Sequence, residues 1–342
     1  MTEKIKNWFK DKKLRFLVTG AAGFVGTNLA LRLLELGQSV TGIDSFITGR
    51  ISNIEHINNF ARENGKTDGF KFIKGDLNDA EFCKNAAENI DYVFHEAAIA
   101  SVPWSLKEPH LFHSNNDAAF FNILNASRLS TVKRFIYASS SAVYGTDSNI
   151  PSVEDNIGEP LSVYGAAKLT NEIYAKAFFN SFGFESIGFR YFNIYGKFQD
   201  PYSAYAAVIP IWVKKILSNE RFIINGDGTT TRDFCYVDDI VDINLLAVMY
   251  GGEKKPGVYN AGIGKSVSLN ELVQTLKEFF GNDIQYEHGP FRSGDIKYSE
   301  ADITRAEREL GFNPKFSLKE GLGQTLEYYR GLFAPGNTGK NY

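Results

Sequence analysis

The sequence of 342 residues is poor in cysteine, in long apolar runs and in excess charge of either sign. Its 2 cysteines, Cys83 and Cys235, are too few for a disulfide framework or a four-ligand zinc site. No run of about 18 apolar residues predicts a membrane-spanning helix, and the basic segment 1–13 lacks the apolar core of a signal peptide. The net charge of −3 excludes the basic field that nucleic acids or anionic membranes attract. We therefore expect a cytoplasmic protein that binds neither of them, with segment 1–13 docked as a helix.

Apolar runs and helix-length segments alternate through the first 190 residues. Strands are predicted at 15–18, 38–43, 71–73, 91–95, 134–138 and 186–190, and a long helix is predicted at 162–179. Such alternation indicates parallel strands joined by right-handed crossovers. The predicted fold class is therefore α/β, with a Rossmann-like doubly wound parallel sheet.

The pattern becomes less regular after Tyr191, although 258–261 again has the pattern of a buried strand and 269–280 that of a helix. We therefore expect the chain to leave the first domain and return to it. The first domain would comprise 1–190 with about 234–265, and a smaller interleaved α/β domain would comprise about 191–233 with 266–332. The tail at 333–342 is expected to be flexible.

A glycine motif lies where the first strand turns into the first helix. Gly20, Gly23 and Gly26 have no side chains, so backbone amides there can approach a pyrophosphate at the helix N-terminus. Asp44 ends the second strand, 18 residues after Gly26, where its carboxylate can accept both ribose hydroxyls of an adenosine. The same carboxylate repels a 2′-phosphate, which favours NAD over NADP. Arg50 nearby is the one residue that argues for NADP.

Acidic and small residues follow the next two strands. Asp76 could accept a hydrogen bond from the adenine amino group, or simply stabilise a turn, and Ala97 and Ala98 would let a flat ligand pass close to the backbone. The predicted cofactor-binding residues are Gly20, Gly23, Phe24, Val25, Gly26, Asp44, Ser45, Gly49, Asp76, Leu77, Ala97, Ala98, Tyr164, Lys168 and Tyr191.

Tyr164 and Lys168 are four residues apart on the long predicted helix, so both side chains project from one face. An ammonium group nearby lowers the pKa of a phenol from its usual value of about 10, and together with the positive nicotinamide ring it would make proton abstraction feasible near neutral pH. The fifth strand ends in three hydroxyl residues, Ser139, Ser140 and Ser141, and one of them could hold a substrate oxygen opposite the tyrosine. The sequence therefore predicts an acid–base site at the end of this strand.

Together these features resemble the extended short-chain dehydrogenase/reductase family, from residue 14 to about 332. The resemblance implies that Ser140, Tyr164 and Lys168 are the catalytic residues. It also implies that the first domain binds NAD and that the second domain binds a nucleotide sugar, with no metal.

The residues that this chain lacks reduce the number of reactions that the resemblance allows. Family dehydratases and decarboxylases carry a carboxylate just before the residues that match Tyr144 and Gly145, where this chain has Ser141 and Ala142. Reductases exchange NADPH, which Asp44 disfavours. The resemblance thus implies a 4-epimerase, with a dehydratase, a decarboxylase or a noncatalytic NAD-binding scaffold as alternatives.

The same resemblance supplies a predicted substrate site. Arg232 and Arg292 would bind the diphosphate and Asp295 the uridine ribose. Ser299, seven residues after Arg292, would leave room for an N-acetyl group where a tyrosine would not. The expected substrates are UDP-GlcNAc and UDP-GalNAc, with UDP-glucose and UDP-galactose as further candidates. The predicted substrate-binding residues are Ser101, Ser140, Ser141, Asn193, Ala207, Val208, Asn225, Arg232, Arg292, Asp295 and Ser299.

Family members commonly form homodimers through a four-helix bundle, and the resemblance implies the same assembly here. Leu169, Ile173 and Phe178 on the long helix could contribute to that interface or pack in the core. The sequence favours neither alternative.

Overall fold

The computed structural model describes residues 1–147, 149–203, 206–252, 257–291 and 296–333. Its strands are β1 (Arg15–Thr19), β2 (Ser39–Asp44), β3 (Phe70–Lys74), β4 (Tyr92–His95), β5 (Arg134–Ser140), β6 (Ser186–Tyr191), β7 (Asn193–Tyr195), β8 (Phe222–Asn225), β9 (Thr231–Arg232), β10 (Phe234–Tyr236), β11 (Gly257–Ala261), β12 (Val267–Ser268) and β13 (Tyr286–Gly289). Its α-helices are α1 (Glu3–Phe9), α2 (Phe24–Glu35), α3 (Ile51–Glu63), α4 (Ala80–Ala86), α5 (Val102–Lys107), α6 (Pro109–Phe112), α7 (Ala119–Leu129), α8 (Val163–Phe182), α9 (Val208–Leu217), α10 (Val237–Met249), α11 (Leu269–Phe280), α12 (Thr304–Leu310) and α13 (Leu318–Leu332). A π-helix, His113–Ala118, joins α6 to α7.

A seven-stranded parallel sheet in the order β11-β6-β5-β4-β1-β2-β3 forms the centre of the molecule. Helices α2, α3 and α10 contribute to the core on one face, and α4, α7 and α8 to the core on the other. The order reverses after β3, where the chain crosses back beyond β1 to form β4. The predicted Rossmann-like doubly wound sheet is therefore confirmed.

The apolar residues of β1 show why its sequence forms a central strand. Phe16 and Val18 pack into the core on one face, whereas Leu17 packs into the core on the other. A strand covered on both faces needs such a continuous apolar run. The same burial explains the docked start of the chain, because Ile5 and Phe9 of α1 are fully buried in the core that contains Phe16. The expected docked helix in segment 1–13 is confirmed.

The chain does return to the sheet after residue 191, since β11 pairs with β6. The remaining strands form two-stranded pairs, β7 with β10, β8 with β13 and β9 with β12. They enclose a separate apolar core together with α9, α11 and α13. The division of the chain into an NAD-binding domain and a nucleotide-sugar-binding domain stays a prediction. Within the described ranges, no helix has both the length and the apolar character needed to cross a membrane.

Candidate active site

A cavity of about 470 Å³ opens at the carboxyl ends of the central strands. This edge of an open parallel sheet is where ligands bind, because loops and helix N-termini converge there. Most of the predicted site residues line the cavity. These are Gly20, Gly23, Phe24, Val25, Gly26, Asp44, Ser45, Asp76, Leu77, Ala97, Ala98, Ser101, Ser140, Tyr164, Lys168, Tyr191, Asn193 and Ala207.

The glycine turn after β1 forms one wall of this cavity. Gly20 has φ +70°, and a Cβ added to it would lie 2.7 Å from the amide nitrogen of Ala97. A Cβ on Gly26 would lie 2.1 Å from the carbonyl oxygen of Gly20, so no side chain fits there either. Helix α2 begins directly after Gly23, and its first amide groups have no partner within the helix. The bare turn and the positive end of the helix together fit the pyrophosphate of NAD.

Asp44 at the end of β2 is held by backbone amides. Its Oδ2 accepts from the Ala22 amide at 3.0 Å and its Oδ1 from the Phe46 amide at 2.8 Å. Burial raises the pKa of this carboxyl, and the amide hydrogen bonds oppose the rise. Gly49 does not line the cavity but lies behind Asp44, where a Cβ would be 2.6 Å from Oδ1. The carboxylate therefore fits the ribose hydroxyls of NAD.

Arg50, which argued for NADP, contacts an acidic residue in the same cavity. Its guanidinium forms an ion pair with the carboxylate of Asp200. A positive charge paired in this way offers less attraction to a 2′-phosphate than an unpaired one would. The local electrostatics thus agree with NAD.

Lys168 is almost completely buried beneath the cavity, with 1% of its side chain surface exposed. Its Nζ donates to the carbonyl oxygen of Ala138 on β5 at 2.8 Å. Burial lowers the pKa of this amine to about 8, and the nearby carboxylates of Glu96, Asp117 and Glu172 oppose the shift. The ammonium is consequently fixed between α8 and β5.

The Tyr164 phenol is the group whose pKa Lys168 is expected to lower. Burial raises the pKa of the phenol, and the side-chain hydrogen bond with Ser140 opposes the rise. The ammonium of Lys168 donates to the Ala138 carbonyl. The predicted lowering depends on Lys168 together with the positive nicotinamide ring of NAD, and it stays a prediction.

The three serines after β5 have different partners. Ser139 donates from Oγ to Oε1 of Glu172 at 2.5 Å, and Ser140 accepts from the Ala142 amide at 3.1 Å while contacting Tyr164. Ser141 starts a short 3₁₀-helix and does not line the cavity. Of the three, Ser140 is the one that the structure brings to Tyr164.

The sequence of this chain matches a known protein family. A family model described as the NAD dependent epimerase/dehydratase family matches residues 16–262. The chain belongs to that family. The UDP-glucose 4-epimerase of Mycolicibacterium smegmatis is 35% identical over 320 residues, which cover 93% of this chain and 99% of the relative.

Solved structures of the epimerase family extend the similarity to the whole fold. The UDP-N-acetylglucosamine 4-epimerase from Methanobrevibacter ruminantium, in complex with UDP-N-acetylmuramic acid, has a TM-score of 0.87 and 36% identity, covering 94% of this chain and 100% of that one. The UDP-glucuronic acid 4-epimerase from Bacillus cereus, in complex with UDP-glucuronic acid and NAD, has a TM-score of 0.84 and 30% identity, with 94% and 100% covered. The resemblance and the NAD cofactor predicted from the sequence are confirmed. The sugar differs among these relatives.

Several predicted substrate residues of this epimerase-family chain do not line the cavity. Val208 begins α9 and packs against the core of the second region, and Arg232 donates to the neighbouring carbonyl of Thr231 at 2.8 Å. Asn225 and Ser299 are half-buried outside the cavity wall. Arg292 and Asp295 lie outside the described residues. The substrate roles of this group stay predictions.

Glu96 and Trp104 are two of the cavity residues that the predicted site lacked. Glu96, directly after β4, accepts a hydrogen bond from the Tyr191 hydroxyl at 3.0 Å. Trp104 packs edge-on against Phe112 with ring centroids 6.0 Å apart, and Phe112 packs likewise against Tyr164 at 6.5 Å. The position of Glu96 between His95 and two alanines at a strand end was the available signal for it.

Proposed function

We propose that this protein is an NAD-dependent 4-epimerase of UDP sugars, with UDP-GlcNAc and UDP-GalNAc as its preferred pair. The observation that carries the proposal is one cavity that contains the glycine turn, Asp44 and the Ser140, Tyr164 and Lys168 side chains. A dinucleotide and a sugar hydroxyl can meet only where these two sets of residues share a space. The relatives described above act on UDP sugars at the same carbon.

Each catalytic side chain has a distinct task in this proposal. NAD, held by the glycine turn and Asp44, would supply the hydride transfer that inverts the sugar carbon. Tyr164 removes the proton from the 4-hydroxyl oxygen and later gives it back, and Ser140 donates a hydrogen bond to that oxygen. Lys168, anchored on the Ala138 carbonyl, places a positive charge in the same cavity, and together with the positive nicotinamide ring of bound NAD this charge would favour the ionised phenol. Inversion needs the sugar to present its other face, so the nucleotide must be held more firmly than the sugar.

The choice of an acetylated sugar rests on Ser299 and on one structural relative. The family resemblance implies that Ser299 lies beside the sugar, where a serine would leave more room for an N-acetyl group than a tyrosine, and the relative from Methanobrevibacter ruminantium is a UDP-N-acetylglucosamine 4-epimerase. The relative from Mycolicibacterium smegmatis favours UDP-glucose as the second candidate. Incubation with acetylated and plain UDP-hexoses and with UDP-glucuronate, followed by separation of the products, ranks the candidates. Exclusive use of the plain pair would refute the acetylated assignment.

The proposed base is tested by Tyr164→Phe without added cofactor. Loss of the hydroxyl removes the proton acceptor, so turnover should fall by at least about 100-fold while NAD is retained. Tyr174→Phe on the same helix is the matched control, because Tyr174 packs against Phe121 instead of lining the cavity. Undiminished epimerisation by Tyr164→Phe would exclude Tyr164 as the base. A change in product mass would instead indicate a dehydratase or decarboxylase.

We further propose a homodimer through α7 and α8. Ile173 is 59% exposed and Phe121 is 39% exposed, so each helix presents an apolar side chain to solvent. Phe178 is buried and Leu169 packs against an internal core, which leaves Ile173 as the exposed one of the three predicted residues. The molar mass in solution, measured by light scattering, tests this assembly. We also propose a cytoplasmic location, since Cys83 and Cys235 are buried and unpaired.

A further inference from the structure

Glu96 lines the cavity, and its carboxyl group accepts a hydrogen bond from Tyr191. The Tyr191 hydroxyl donates to its Oε1 at 3.0 Å, and Nδ2 of Asn244 donates to that hydroxyl at 2.8 Å. Asn244 is fully buried on α10, and Tyr191 is the last residue of β6. This chain of hydrogen bonds fixes the orientation of the carboxyl, which lines the cavity.

The neighbours of Glu96 place it at the catalytic end of the cavity. The ionisable groups that act on it are Tyr191 and Lys168, and Lys168 also lines the cavity with Tyr164. The carboxylate of Asp76 belongs to the opposite end, at the tip of β3. In the sheet, β3 is three strands from β4, which is about 14 Å at the usual strand spacing.

Glu96 and Lys168 change their charge over the same pH range. Burial raises the pKa of the Glu96 carboxyl to about 8, and the Tyr191 hydrogen bond and the Lys168 charge oppose the rise. Burial lowers the pKa of the Lys168 amine to about 8. The carboxylates of Asp117 and Glu172 also act on Lys168, and the neutral ring of His95 lies near it. The net charge at the catalytic end therefore depends on pH.

We infer that Glu96 sets the redox balance of the bound NAD, its ionised carboxylate favouring the oxidised cofactor over the reduced one. The inference rests on the proposed function, in which a C–H bond of the sugar breaks, its hydride moves to the nicotinamide and the hydroxyl proton moves to Tyr164. The nicotinamide ring is positively charged before it accepts the hydride and neutral afterwards. A negative charge at the catalytic end therefore stabilises only the oxidised form. Glu96 thus acts through its charge on the balance between oxidised and reduced NAD, and it does not act as a base.

The test is a redox titration of the NAD-loaded protein, followed by the near-ultraviolet absorbance of the reduced cofactor. Glu96→Gln keeps the shape of the side chain and an acceptor for the Tyr191 hydroxyl but removes the charge. At about pH 9 the ratio of reduced to oxidised cofactor at a fixed solution potential should be roughly tenfold higher in the variant than in the wild type. At about pH 6, where the carboxyl of Glu96 is protonated, the two proteins should agree. Glu88→Gln, the same substitution at an exposed residue outside the cavity, is the matched control and should not change the ratio at either pH.

A second variant keeps the inference falsifiable if Glu96→Gln does not fold. Tyr191→Phe removes the hydrogen bond that favours the ionised carboxyl, so the pH at which the ratio changes should move upward. Equal ratios for the wild type and Glu96→Gln at about pH 9, or an unmoved transition in Tyr191→Phe, would overturn the inference. Turnover of UDP-hexoses by the wild type is measured separately. A protein that shows the redox shift but epimerises no UDP sugar would contradict the proposed function and leave the role of Glu96 standing.

Discussion

Glu172→Met probes how α8 is fastened to the sheet beneath the catalytic residues. The Glu172 carboxylate accepts from Nε of Arg190 at 3.0 Å, from Nη2 of Arg190 at 2.7 Å and from Oγ of Ser139 at 2.5 Å. Arg190 is 4% exposed, and without the carboxylate it would keep the Glu154 carbonyl and the face of the Tyr144 ring as partners. The substitution therefore leaves a buried positive charge without the carboxylate to which it is hydrogen-bonded.

The cost follows from the burial of both partners. Removing one member of a buried ion pair costs about 3–5 kcal/mol, and the Ser139 hydroxyl left without its acceptor adds about 1 kcal/mol. We expect the free energy of unfolding to fall by about 4–6 kcal/mol, a large part of the roughly 5–15 kcal/mol typical of folded proteins. Turnover should also fall, because Ser140 adjoins Ser139 and Lys168 lies one helical turn before Glu172.

Urea unfolding of Glu172→Met, Arg190→Met and the double variant measures this coupling. The double variant removes both charges, so it should be more stable than Glu172→Met alone, by about 2 kcal/mol. The single substitution would then owe a substantial part of its effect to the unpaired charge. A loss below about 1 kcal/mol for Glu172→Met, or a double variant as unstable as the sum of the single variants, would refute the reasoning.

Three further predictions concern the cofactor, the pH dependence and the docked first helix. Gly26→Ala should abolish retention of NAD, because the added Cβ would lie 2.1 Å from the Gly20 carbonyl oxygen. Gly331→Ala is the control and should retain NAD, because a Cβ added there meets no atom within 4 Å. The absorbance of the cofactor released on denaturation measures both. Turnover should decline on the alkaline side near pH 8, because the Lys168 ammonium is present below its pKa of about 8 and lost above it; a profile that rises steadily beyond about pH 10 would contradict this. Phe9→Ala should lower the free energy of unfolding by about 3–4 kcal/mol in urea, since the ring is fully buried, and a loss no greater than that of an exposed Lys10→Ala would count against docking of α1.

Much of the first 190 residues could be predicted because the signals are local. The long helix predicted at 162–179 begins one residue later and continues to Phe182, where Gly183 with φ +67° ends it. The pattern of apolar residues defines the middle of a helix better than its ends, so the last turn, 180–182, was missed. The glycine turn and Asp44 were recognisable for the same reason, as each depends on residues close by in the sequence.

The environment of Tyr164 depended instead on a residue distant in sequence. Spacing predicts that Tyr164 and Lys168 share a helix face, and both line the same cavity. It does not predict that the carbonyl of Ala138, 30 residues before Lys168, accepts a hydrogen bond from the ammonium. The pKa of the phenol is consequently governed by burial and by Ser140.

Glu96 shows the same limit at a longer range and identifies its physical cause. Glu96 and Tyr191 are 95 residues apart. Glu96 follows β4 and Tyr191 ends β6, and β5 lies between these two strands in the sheet. Two side chains can meet across an intervening strand, a span of about 10 Å, only where that strand carries a small residue on the shared face. The intervening strand β5 has small residues at this end, since Ala138 is paired with Phe189 and Ser140 with Tyr191. The contact thus depends on three strand ends and their order in the sheet, and a pattern within any one strand could not have predicted it.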